Sequence, residues 1–74
     1  MKNRTFEVGK IVGQIQGVLD NDIPLAVWRK MSQFIKGQND EVTEELISFV
    51  NLFVPDDKAI KGIIIMNLED FLSQ

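Results

Sequence analysis

The sequence contains no cysteine and no histidine. Without cysteine there is no disulfide bond, no thiolate zinc site and no cysteine nucleophile. Without histidine, the commonest general base at neutral pH and the commonest side-chain metal ligand are both missing. We therefore expect a protein that is not an enzyme and that needs neither a metal ion nor a cofactor.

Long apolar segments are missing as well. No uninterrupted apolar run exceeds four residues, as at 63–66, whereas a membrane-spanning helix needs about 20. The basic start of the chain is not followed by an apolar segment, so we expect no signal peptide. The lack of cysteine fits a reducing compartment. We therefore expect a cytoplasmic protein that does not associate with membranes.

The composition is that of a small globular domain. Apolar residues make up 45% of the chain, which is too many for a disordered segment. A chain of 74 residues is near the lower size limit for a single hydrophobic core. We expect residues 1–74 to form one helical domain that uses most of its large apolar side chains in that core, with little apolar surface left for an internal pocket.

The first half of the chain contains two segments with helical periodicity. The first predicted helix runs from about Thr5, as its N-cap, to Leu19. The second follows Pro24, whose missing N–H is not needed at a helix start, and ends at Gly37 as a C′ glycine. The predicted inner faces are Val8, Ile11, Val12, Ile15 and Leu19 on the first helix and Val27, Trp28, Met31, Phe34 and Ile35 on the second.

The second half predicts two more helices. The third is capped by Asn39 or Asp40 and stops at Pro55. The fourth is capped by Asp56 or Asp57. Their predicted inner faces are Val42, Leu46, Phe49, Val50 and Phe53 on the third and Ile60, Ile63, Ile64, Leu68, Phe71 and Leu72 on the fourth.

The connections between these segments are short, which makes consecutive helices antiparallel neighbours. The predicted fold is therefore all-α, a small up-down four-helix bundle. The isoleucine triplet at 63–65 would also suit a strand, but the helical spacing continues to the end of the segment and favours a helix.

Several residues admit two interpretations. Gly9, Gly13 and Gly17 share one face of the first helix, where they would allow close approach of another backbone, although packing within the chain is the interpretation we favour. Trp28 lies on an apolar stripe, which favours a core position over an interface. Asn67 either sets the register of a dimer or donates to a neighbouring backbone carbonyl inside the monomer, and both interpretations stay open.

Charge is unevenly distributed along the chain. Residues 1–37 contain six basic and three acidic residues, a net +3, while residues 38–74 contain two basic and eight acidic residues, a net −6. The whole chain has a net charge of −3, the wrong sign for nucleic-acid binding. Arg29, Lys30 and Lys36 form only a small basic face, and an acidic recognition helix would repel phosphate.

The carboxylates are the most informative group. Many are explained by helix N-termini, which favour negative charge, but Asp20, Glu69 and Asp70 lie near C-terminal ends, which disfavour it. In an up-down bundle the third helix starts at the end where the fourth finishes. We therefore expect Glu41, Glu44, Glu45, Glu69 and Asp70 to gather at one end and Asp20, Asp22, Asp56 and Asp57 at the other, as a surface for a basic partner. The first candidates for partner binding are Glu44, Glu45, Glu69 and Asp70, and the next are Asp56, Asp57, Asp20 and Asp22.

The second half of the chain also resembles a known family. The similar residues are Thr43-Glu44-Glu45-Leu46, Leu52-Phe53-Val54-Pro55-Asp56-Asp57 and Leu68-Glu69-Asp70-Phe71-Leu72. This pattern resembles the small acidic helical immunity proteins of the colicin D and contact-dependent inhibition type. The resemblance implies a bacterial protein that binds a basic nuclease toxin one to one, with acidic side chains in the groove meant for RNA phosphates.

The leading hypothesis is therefore a non-enzymatic inhibitor of a basic protein, with a toxin nuclease as the favoured partner. A phage-encoded inhibitor of a host protein would use the same electrostatics on a different target. A homodimeric adaptor, associating through the glycine face or Asn67, is a second class. A small transcription regulator is a third, against which the acidic charge argues.

Overall fold

The computed structural model describes residues 4–73 and shows four α-helices within them, with no strand in that range. The helices are α1 (Arg4–Leu19), α2 (Leu25–Lys36), α3 (Asp40–Phe53) and α4 (Ala59–Leu72). The predicted all-α fold, a small four-helix bundle, is confirmed.

Each helix packs on the next one in the chain, and α4 also packs on α1. The α3–α4 interface is the most extensive and the α1–α2 interface is the smallest of these four. Lys30 of α2 contacts Glu45 of α3, and Lys61 of α4 contacts Asn51 of α3, as expected for antiparallel neighbours. As a result, α1 and α3 begin at the end of the bundle where α2 and α4 finish.

Three side chains from different helices stack at this end, which we call the Arg4 end. The rings of Phe34 and Phe71 meet edge to face, with centroids 5.3 Å apart and planes at 78°. The guanidinium carbon of Arg4 lies 5.3 Å from the centroid of the Phe71 ring. The stack ties the start of α1 to the last turns of α2 and α4.

The core is formed by the inward face of every helix. Thr43 is also buried, and its hydroxyl donates to the Asn39 carbonyl at 2.8 Å, so its burial leaves no unmade hydrogen bond. Burying these apolar side chains supplies the main stabilising free energy of the fold. The buried apolar residues are Val8, Ile11, Ile15, Val27, Met31, Phe34, Val42, Leu46, Val50, Val54, Ile64, Leu68 and Phe71.

The predicted apolar stripes are wider than the faces that become buried. The prediction that Trp28 lies in the core is wrong, because 42% of its surface is exposed. Val27 takes the inward position with 1% exposure, and the next residue on a helix points about 100° away from it. The other inner-face residues that turn out to be exposed are Ile35, Phe53 and Ile63.

The α1–α4 interface contains a polar contact. The side-chain amide of Asn67 donates to the side-chain oxygen of Gln14 at 3.2 Å. Of the two interpretations of Asn67, the structure shows the intramolecular one, with a side-chain partner.

The predicted cap of α3 is confirmed and that of α1 is wrong. Asn39 is the N-cap of α3, and its side-chain oxygen accepts from the Val42 N–H at 2.9 Å. Thr5 cannot be the N-cap of α1, because Arg4 before it is already helical. Gly37 follows the last residue of α2, but its φ of −173° is extended and not the left-handed conformation of a C′ glycine.

The predicted cap of α4 is also wrong. Its N-cap is Lys58, which forms no side-chain capping bond. Asp56 pairs instead with Lys61, and Asp57 is an exposed residue of the turn. Pro55 ends α3 as predicted: the helix stops at Phe53, because the residue before a proline is disfavoured in the helical conformation.

The chain leaves α1 through a tight turn at Asp20. This residue has φ of 54°, in the left-handed region that few residues other than glycine tolerate. Its N–H donates to Gln16 at 2.8 Å, and the N–H of Asp22 donates to Leu19 at 3.0 Å. Asp20 therefore has a structural task that its sequence context did not reveal.

We expect Asp20→Val to lower the free energy of unfolding by about 1–2 kcal/mol, because a β-branched side chain opposes a positive φ. Asp20→Gly should change it little, since relief of strain is offset by the greater freedom of the unfolded chain. Urea denaturation followed by circular dichroism measures both. Asp22→Val removes the same charge at an ordinary backbone conformation, and an equal loss there would contradict the explanation.

The three glycines of α1 are not packing sites within the chain. A Cβ atom built on Gly9, Gly13 or Gly17 would meet nothing within 4 Å. The interpretation that they serve packing inside the monomer is therefore wrong, and this face of α1 is open.

Gly13→Ala and Gly17→Ala should each raise the free energy of unfolding by about 1 kcal/mol, because alanine is the better helix former and has room at both positions. Thermal and urea denaturation of the single variants check this. In a homodimer joined through this face, the added methyl groups would separate the helices. A fall in stability, accompanied by a dimer mass in light scattering, would therefore support the adaptor alternative.

Candidate functional site

The first turns of α3 present acidic side chains to solvent. The cap formed by Asn39 leaves Asp40 and Glu41 in the first turn, where the positive end of the helix dipole stabilises them. Glu44 follows three residues after Glu41, on the same exposed side. The whole of α3 contains no lysine or arginine, so its outer face carries charge of one sign.

The last turns of α4 add two more exposed carboxylates. Glu69 and Asp70 lie at the C-terminal end of a helix, where the dipole opposes negative charge. The last turn of α4 has no basic residue to offset this. Neither helix propensity nor the dipole explains their position.

The antiparallel arrangement brings these two sets together at the Arg4 end. We call the surface formed by Asp40, Glu41, Glu44, Glu69 and Asp70 the acidic end. Among residues 4–73, no lysine or arginine forms an ion pair with Glu41, Glu44 or Glu69. The acidic end therefore concentrates negative charge, and the carboxylates of Glu41, Glu44 and Glu69 have no cationic partner among the described residues.

Glu45 was predicted as part of the same set, but the structure gives it another contact. Its carboxylate lies 2.7 Å from the ammonium group of Lys30, whose side chain is largely buried. The pair joins α3 to α2. Since its charge is matched within the chain, Glu45 contributes less to the outward field than its neighbours.

The carboxylates at the other end of the bundle are weaker candidates. Asp20 sits in the left-handed turn, and Asp22 and Asp57 are exposed. Asp56 accepts a hydrogen bond from Lys61, which also donates to the Asn51 carbonyl at 3.1 Å and so satisfies one carbonyl in the last turn of α3. One charge at this end is thus matched and another belongs to a turn.

The hydrogen bond from Lys61, together with its positive charge, lowers the pKa of Asp56 below its ordinary value of 3.8. A lowered pKa in the folded state means that the pair stabilises the fold above pH 3.8. This contribution is lost as the pH falls through the lowered value.

We expect Lys61→Gln to return the Asp56 pKa toward 3.8, because both causes of the shift are removed. Titration of the carboxyl carbon by NMR measures this directly. An unchanged Asp56 pKa in the variant would contradict the pairing.

Sequence reasoning overlooked one member of the acidic end. Asp40 was considered only as an alternative helix cap. Once Asn39 forms the cap, Asp40 becomes an exposed residue of the first turn. The signal was present in the sequence, because two adjacent cap candidates cannot both be the N-cap.

No group of three or more acidic side chains in the described part of the chain is arranged to hold a metal ion. None of the four helices combines the length and the apolar character needed to cross a bilayer.

No protein family, curated protein or solved structure shows significant similarity to this chain. Its candidate function therefore rests on its own surface chemistry.

Proposed function

We propose that this protein is a non-enzymatic inhibitor that binds a basic protein through its acidic end, and that the partner is the nuclease domain of a toxin. The observation that carries the proposal is the meeting of exposed carboxylates from the start of α3 and the end of α4, with no described cation paired to Glu41, Glu44 or Glu69.

The spacing of these charges suits a surface that normally binds a phosphate backbone. Glu41 and Glu44 are three residues apart, so their side chains are neighbours on one helix face, about 5–6 Å apart at Cβ. A nuclease presents lysine and arginine to successive phosphates. The exposed carboxylates pair with these cations in place of phosphates. Because a carboxylate contains no phosphodiester bond, the nuclease cannot cleave what it has bound and is inhibited.

Glu69 supports a binding role because it is poorly placed for stability. A carboxylate near a helix C-terminus costs about 0.3–1 kcal/mol relative to a neutral side chain. Such a residue lowers the stability of the fold but increases the negative electrostatic potential at the surface. It is expected at a binding surface, where a positively charged partner compensates its charge. The same proposal, together with the resemblance to immunity proteins, places the chain in the bacterial cytoplasm, where a nuclease toxin would meet nucleic acid.

The experiment uses as its probe the basic nuclease domain of a contact-dependent inhibition toxin, and compares two double variants with equal charge change. Glu44→Lys with Glu69→Lys alters the acidic end, and Asp22→Lys with Asp57→Lys alters the opposite end. We expect the first pair to slow association at least tenfold and to flatten its dependence on salt, because electrostatic steering is lost. Stopped-flow association at low and high salt measures both effects.

Stability separates a lost interface from a lost fold. Glu69→Lys should raise the free energy of unfolding by about 0.3–1 kcal/mol, since it reverses an unfavourable charge at the end of α4. Weaker inhibition by a more stable protein would therefore locate the interface. If the two double variants slow association equally, or if wild-type association is insensitive to salt, the acidic end is not the binding surface.

A further inference from the structure

A pocket of about 370 Å³ lies at the Arg4 end, lined by residues from the first half of α1 and from the end of α2. It opens to solvent between the first turns of α1 and the last turn of α2, the smallest of the four helix interfaces. Its volume falls in the range of small-molecule sites, about 300–1,000 Å³. Val8, Val12 and Ile35 form its apolar walls.

The charged groups that line this pocket are all cationic. Arg4 and Lys36 contribute to it, and none of its lining residues is acidic, although the chain has more acidic than basic residues. Neither cation forms an ion pair within residues 4–73. Arg4 rests on the Phe71 ring, which positions the guanidinium without neutralising it.

Gly9 keeps the pocket wide. It is one of the lining residues, and a Cβ atom at this position would meet nothing within 4 Å. Ile35, which also lines the pocket, is 56% exposed. Apolar surface and unpaired positive charge are therefore side by side in one concave site.

We infer that this pocket binds a small monocarboxylate with an aliphatic chain, of the medium-chain fatty acid class. The carboxylate lies between Arg4 and Lys36, since guanidinium and ammonium groups are the natural partners of a carboxylate. The aliphatic chain lies along Val12 and Ile35, where it removes their apolar surface from water. This site is separate from the proposed inhibitor surface and does not depend on it.

The test is an NMR titration of the full-length ¹⁵N-labelled protein with hexanoate, octanoate and decanoate, each below its micelle concentration. We expect saturable shifts at the amides of Gly9, Val12 and Ile35. Affinity should rise about fourfold for each added methylene until the chain fills the pocket. Octanol, which has the same tail without the charge, should bind at least tenfold more weakly than octanoate.

Matched variants locate the site. Gly9→Leu fills the pocket and should weaken octanoate binding at least tenfold. Gly17→Leu makes the same change two turns further along α1, outside the pocket, and should leave binding unchanged. Lys36→Gln should weaken octanoate and leave octanol unaffected. Far-ultraviolet circular dichroism shows whether each variant keeps its helices.

Several outcomes would overturn the inference. One is the absence of saturable shifts, and another is a spread of shifts over exposed apolar residues elsewhere, such as Leu52 and Met66. Equal effects of the two leucine variants would also exclude the pocket. N-acetyl-leucine mimics a peptide carboxy terminus, and tighter binding of this compound than of hexanoate would assign the pocket to a peptide in place of a free acid.

Discussion

The stack of Arg4, Phe71 and Phe34 is the contact on which both candidate surfaces depend. An edge-to-face ring pair contributes about 0.5–1.5 kcal/mol beyond its buried area, and a cation over a ring adds about 0.5–1 kcal/mol. The larger effect is geometric, because one stack fixes the start of α1 and the ends of α2 and α4 relative to one another. It therefore sets where α4 presents Glu69 and how wide the gap between α1 and α2 remains.

The molecule separates its charges instead of pairing them. Two ion pairs join its described helices and turns, Lys30 with Glu45 and Lys61 with Asp56, and neither involves Glu41, Glu44 or Glu69. At the Arg4 end, Arg4 and Lys36 line the pocket between α1 and α2, and the start of α3 and the end of α4 present carboxylates. Lysines placed opposite Glu41, Glu44 and Glu69 would form ion pairs that stabilise the fold, and this arrangement of the described residues lacks them. It creates two chemically distinct surfaces on one small core.

Much of this fold follows from the sequence because its signals are local. Pro24, Asn39 and Pro55 mark helix boundaries through backbone sterics and a side-chain cap, and the apolar period within each segment marks the helices themselves. The grouping of Glu44 with Glu69 follows in turn, since helix order alone determines which ends meet. Neither conclusion requires knowledge of a side-chain contact.

The features that escaped prediction all depend on tertiary geometry. The exposure of Trp28 depends on how much of the surface of α2 the neighbouring helices cover, and the pattern of apolar residues in α2 does not specify this. The pairing of Glu45 requires the register between α2 and α3, and the left-handed turn at Asp20 requires the path from α1 to α2. The pocket beside Gly9 likewise arises from a gap between helices, which no single segment encodes.

The order in which the helices pack along the chain affects the folding rate of the protein. Three of the four helix interfaces join neighbours along the chain, and the connections between them are short. Little loop entropy is lost before these contacts form, so the topology belongs to the class that folds within microseconds to milliseconds. The α1–α4 interface and the ring contact between Phe34 of α2 and Phe71 of α4 bring distant parts of the chain together.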